Sequence, residues 1–150
     1  MAAVILYGTE TGTGELVADA IADVLAADSD PSVFDMAEFA VEDLNVEDFL
    51  VVICSTYGEG ELPSSALPFA EELDEEKPDL TGLRFTVFGL GDTVYGETYN
   101  RGGEVMAEKL VALGAVEVGE HFRHDASSTI KPAKAAAEWA EAIPALIAEA

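Results

Sequence analysis

Apolar positions along this chain follow two rhythms. "AAVILYG" near the start and "FLVVICSTYG" from Phe49 are unbroken apolar runs rich in Val and Ile, each ending in a polar turn with glycine. That is the pattern of strands covered on both faces. Between them Leu16, Val17, Ala20, Ile21, Val24 and Leu25 recur at helical spacing, with Asp19 and Asp23 opposite. The same alternation predicts a weak strand "SVFDM", a strong strand over 49–55 and a helix from about 65 to 76. A strand "LRFTVFGLG", a helix from about 102 to 113, a short strand "AVEVG" and a final helix from about 132 follow, the last kinked by Pro144.

Strands alternating with helices make an α/β fold, a mostly parallel sheet with right-handed crossovers and helices on both faces. With 150 residues and no repeat or linker, one domain over residues 1–150 is expected. Ligands of such sheets gather at the carboxyl ends of the strands. Three loops fall at those ends: "GTETGTGE", "STYGEGELPS" and "GLGDTVYGETYN".

Charge narrows the partners. Thirty Asp and Glu against seven Lys and Arg give a net charge of -23, and the first 76 residues hold 19 of the acids and no base. Nucleic acid and anionic membranes demand the opposite sign, so basic partners are expected and nucleic acid is not. Acidity that serves only solubility or salt adaptation is the competing explanation. No run approaches the roughly 18 apolar residues of a membrane span, and the start lacks a basic segment with a cleavage signature, so a cytoplasmic protein without membrane insertion is expected. The single cysteine, Cys54, lies in a strand-like run and reads as a buried thiol.

The first loop is no P-loop, because the earliest Lys in the chain is Lys77. Nor is it a dinucleotide turn: Val17 stands where "GTG" needs its third glycine, as Val94 does after "GLG". A helix N-terminus still offers unpaired N–H groups and a partial positive charge. Thr9, Thr11 and Thr13 add hydroxyls, and Gly12 and Gly14 let the backbone wrap closely. Two readings stand, a helix cap and a site for a terminal phosphate monoester on neutral donors. Tyr57 and Tyr95 in the other loops can sandwich a flat ring, with Asp92 and Asn100 nearby. A flat heterocycle joined to a phosphate describes FMN. His121, His124 and Asp125 make a weak metal set and are expected at the surface or a helix entry.

"YGTETGTGELVADAIADVL", "STYGEGELPSSALPF" and "VFGLGDTVYGETYNRGG" resemble, in order and spacing, the flavodoxin-like FMN domains, including those of cytochrome P450 reductase and sulfite reductase flavoprotein. The length and the tail "HDASSTIKPAKAAAEWAEAI" are similar to short MioC-type flavodoxins. The resemblance implies a flavodoxin-like three-layer sandwich with a five-stranded parallel sheet in order 2-1-3-4-5; flavodoxin is itself the usual illustration of that order, with FMN where it reverses. It implies that Thr9, Thr11, Gly12 and Thr13 hold the phosphate, helped by backbone N–H groups of Glu10 and Gly14. Ser55, Thr56, Tyr57, Gly58 and Gly60 would form the second flavin loop, and Leu90, Gly91, Asp92, Tyr95, Tyr99 and Asn100 the third. Many relatives carry Asn or Cys four residues after the second aromatic, where this chain has Tyr99.

The function so implied is a monomeric electron carrier, taking single electrons from a basic-patched reductase to an acceptor protein. Gly58 would let its peptide turn a carbonyl toward flavin N5, and the surrounding acids would oppose a second electron. Two other classes stay open. One is a small flavin enzyme oxidising NAD(P)H directly; the other is a receiver domain, which expects an Asp where the central strand ends in "ICSTYG".

Overall fold

The computed structural model describes residues 3–9, 12–27, 30–56, 62–91, 101–119, 121–125 and 130–148. Six strands form one sheet: β1 (Ala3–Gly8), β2 (Ser32–Asp35), β3 (Phe49–Ser55), β4 (Arg84–Gly91), β5 (Val116–Glu117) and β6 (Phe122–Asp125). The order is β2-β1-β3-β4-β5, every pairing is parallel, and β6 also pairs with β4. Among the described residues five α-helices accompany them: α1 (Thr13–Leu25), α2 (Leu67–Glu76), α3 (Arg101–Ala112), α4 (Pro132–Ala140) and α5 (Ile143–Ala148).

The central strand shows why its sequence has no polar position from Phe49 to Cys54. Along β3, Phe49, Val51 and Ile53 enter one core while Leu50, Val52 and Cys54 enter the other, so both sides of the pleat are dry. On the first side the sheet meets α1 and α4 through Val17, Ala18, Ile21, Ala135, Ala136 and Ala140. On the second it meets α2 and α3 through Phe69, Leu73, Met106 and Leu110. Helix, sheet and helix make the three layers.

Cys54 is buried, as its strand pattern predicts, and loss of hydration pushes its thiol up to about 12. Incubation with a thiol reagent near pH 8 is expected to leave the native protein unmodified and to titrate this one thiol after unfolding in urea. Fast modification of the native chain would contradict that burial.

Four expectations need correction. The fifth sheet position is two strands, not one: β5 pairs with Arg84 and Phe85, and β6 with Phe88 to Gly91, on the same edge of β4. The final helix breaks at Glu141–Ala142, before Pro144. Proline there has no N–H for the carbonyl of Ala140, and it sits instead in the first turn of α5, where none is needed. Leu16, counted on the apolar face of α1, is 64% exposed. Neither histidine is a surface residue: His121 packs against α3, and His124 is buried on β6 with Nε2 2.9 Å from the carbonyl of Ile130, which leaves it the helix-entry role ahead of α4.

Candidate functional site: three strand ends and two helix tips

Register brings the carboxyl ends of β1, β3 and β4 side by side. Gly8 lies opposite Cys54, Cys54 opposite Gly89, and Ser55 opposite Leu90. Between β1 and β3 the sheet order reverses, and chain leaving those strands departs to opposite layers.

The first loop runs from Thr9 to the tip of α1. Gly12 precedes the helix at φ +92, a left-handed conformation in which a side chain would be strained. Gly14 is buried, and a Cβ there would sit 3.0 Å from Cβ of Thr9. Thr9 Oγ1 accepts hydrogen bonds from the N–H of Gly12 at 3.0 Å and of Gly14 at 3.3 Å. Both acceptor positions of the hydroxyl are then engaged, and its O–H is left as a donor. The capping reading is thus correct for Thr9, and it is compatible with a ligand on the same turn.

This turn lies in a negative field. Burial first, and then Glu15, Asp35, Glu38 and Asp19, push the phenol of Tyr7 on β1 above its ordinary pKa. An anion bound here must be held by directed hydrogen bonds, because the first 76 residues contain no Lys or Arg to attract it.

The second and third loops brace each other. The N–H of Thr56 donates to the carbonyl of Leu90 at 2.9 Å, and Thr56 Oγ1 accepts from the N–H of Gly102 at 3.0 Å. Thr56 thereby caps α3 from 46 residues away. Gly102 lies so close to β3 that an added Cβ would collide with the carbonyl oxygen of Ser55. Next to it, Gly103 faces Nε2 of His121, whose Nδ1 lies 3.0 Å from Glu117 Oε2. Burial, then Arg123, holds His121 below the usual imidazole range, against the pull of Glu117.

Of the residues expected to form the site, Thr9, Gly12, Thr13, Gly14, Ser55, Thr56, Leu90 and Gly91 stand together at these strand ends and helix tips. Glu10, Thr11, Tyr57, Gly58, Gly60, Asp92, Tyr95, Tyr99 and Asn100 lie outside the described residues. Two participants were missed. Ser65, in the turn before α2, accepts the N–H of Thr9 at 2.7 Å, a contact with no local sequence signature. Gly102 did leave a signal, since two glycines opening a helix are each unfavourable by about 1 kcal/mol against Ala and invite a packing reason.

The flavodoxin family model matches residues 5–139. The chain belongs to the flavodoxin family. It is 36% identical over 149 residues to the sulfite reductase [NADPH] flavoprotein alpha-component of Klebsiella pneumoniae, covering 97% of this chain and 24% of that protein. It is 35% identical over 124 residues to NADPH–cytochrome P450 reductase of Rattus norvegicus, covering 78% of this chain and 18% of that protein. The flavodoxin thus spans less than a quarter of the length of these curated relatives. Among solved structures, a mutant of flavodoxin from Pseudomonas aeruginosa superposes with a TM-score of 0.87 at 34% identity, covering 99% of both chains. Oxidised Flavodoxin 2 from Bacillus cereus gives 0.82 at 29% identity, covering 97% of this chain and 99% of that one.

Flavodoxin membership makes FMN the cofactor and electron transfer the activity class. The residues present fit that group: the tip of α1 and the Thr9 hydroxyl suit its phosphate, and Gly12 and Gly14 keep side chains out of the turn.

Proposed function

We propose that this flavodoxin shuttles single electrons from a reductase to an acceptor enzyme. The observation that carries the reading is the convergence of three strand ends, bearing the family's three loops, at the point where the sheet order reverses. FMN, when bound, supplies one-electron redox chemistry. The chain binds it, screens it from water and presents its edge to partners.

In this reading Thr9, Thr11, Gly12 and Thr13 hold the phosphate, and the backbone N–H groups of Glu10 and Gly14 assist. The tip of α1 contributes roughly half a positive charge. Tyr57 and Tyr95 enclose the ring. Ser55, Thr56, Gly58 and Gly60, with Leu90, Gly91, Asp92, Tyr99 and Asn100, shape its polar edge. No side chain acts as a nucleophile.

Acids at the flavin edge, Glu59, Glu61 and Glu97 among them, steer basic patches on the reductase and the acceptor. In this reading the chain acts as a monomer in the cytoplasm; among the described residues no helix is long and apolar enough to cross a membrane.

The test is reconstitution with FMN followed by anaerobic reduction. NADPH alone is expected to leave the bound flavin oxidised, and adding an NADPH-dependent flavoprotein reductase to bleach it. That rate is expected to fall as the Debye length shrinks from about 30 Å at 0.01 M salt to about 8 Å at 0.15 M. Bleaching by NADPH alone would make the protein a direct reductase, and a rate indifferent to salt would remove electrostatic docking.

A further inference from the structure

We propose that Ser65 is a positioning residue for the phosphate of FMN, acting through Thr9; the inference rests on the reading of this chain as an FMN carrier. The tip of α1 is organised by one atom, Thr9 Oγ1, which accepts the N–H groups of both Gly12 and Gly14. Where that oxygen lies depends on the backbone of Thr9, the first residue beyond β1. Its N–H points at Ser65 Oγ, 2.7 Å away and 56 residues along the chain.

Ser65 is itself on a firm mount. Beside it Ala66 is fully buried, its N–H bonded to the carbonyl of Pro63 at 3.0 Å and its own carbonyl accepting from Ala70 of α2 at 2.9 Å. The same turn presses on β1, for a Cβ placed on Gly8 would meet Cβ of Ala66 at 2.7 Å and Sδ of Met36 at 3.0 Å. With no slack between the turn and the strand end, the serine hydroxyl fixes the exit direction of Thr9. That direction in turn aims the N–H groups of the helix tip. The contact that Ser65 makes with Thr9 lies at the turn that would hold the phosphate, so its proposed influence is directed to that end of the ligand.

Riboflavin separates this role from a general structural one, because it carries the ring and ribityl chain of FMN without the phosphate. Dissociation constants of both ligands for the apoprotein are read from quenching of flavin fluorescence. Ser65→Ala is expected to weaken FMN about tenfold, the effect of leaving one part-buried donor without its acceptor. Riboflavin affinity is expected to stay within about twofold, and Ser65→Thr, which keeps the hydroxyl, to restore FMN binding. Thermal unfolding of each apoprotein verifies that the variants fold. Unchanged FMN affinity in Ser65→Ala, or equal losses for the two ligands, overturns the positioning role. Failure of the unaltered chain to bind FMN would instead overturn the carrier reading beneath it.

Discussion

Phe88→Ala is expected to lower the free energy of unfolding by about 3–5 kcal/mol, a large share of the 5–15 kcal/mol typical of a domain. Phe88 is fully buried on β4. Its ring stacks on Phe122 with centroids 4.9 Å apart and meets Trp139 edge-on at 5.4 Å. It therefore ties the central sheet to β6 and to α4, and truncation removes the common partner of both. With a urea m-value of about 2 kcal/mol per molar, the midpoint falls by about 2 M. Trp139 is the one tryptophan, so its fluorescence follows the loss directly. A midpoint shift under about 0.5 M would mean that the core collapses into the void and that Phe122 needs no such partner.

Much of the fold was legible because its physics is local. The uniform burial of β3 follows from alternation between two dry faces, and an unbroken apolar run is what that requires. The strand ends that carry the three glycine-containing loops were legible because each apolar run stops there. The split fifth strand was not. "FRHD" carries Arg123 and Asp125 at its second and last positions and has little strand character by composition, yet the stacking of Phe122 on Phe88 and the open edge of β4 draw it into the sheet with His124 buried. In β6, tertiary context overrode composition. Ser65 illustrates the other limit: one hydroxyl meeting one N–H across the fold alters no periodicity. The break before Pro144 fell between these cases, since the residue responsible was visible and only its position relative to the break was not.

The adjacent glycines of α3 give the sharper test of how the site is built. Either glycine replaced by alanine gains about 1 kcal/mol of helix propensity. They differ in what the new methyl meets. At Gly102 it would collide with the carbonyl oxygen of Ser55 and lie 3.1 Å from its carbonyl carbon and 3.2 Å from Cα of Thr56, all backbone of β3 or its continuation. At Gly103 the nearest atom is 3.3 Å away and is the ring nitrogen of His121. A backbone oxygen in a central strand cannot step aside, so Gly102→Ala must drive the start of α3 outward and break the bond between its N–H and Thr56 Oγ1. Because α3 follows the third loop and Thr56 opens the second, the change falls on the flanks of both loops that the proposal assigns to the flavin. Overpacking of this kind costs about 1–3 kcal/mol, and about 2 kcal/mol of lost site organisation is roughly a 30-fold weaker FMN complex. Gly103→Ala is expected to stay within about 1 kcal/mol in stability and about fivefold in FMN affinity. Chemical denaturation and FMN titration of the two variants in parallel settle it, and equal effects at the two positions would show that the contact between α3 and the end of β3 does not organise the site.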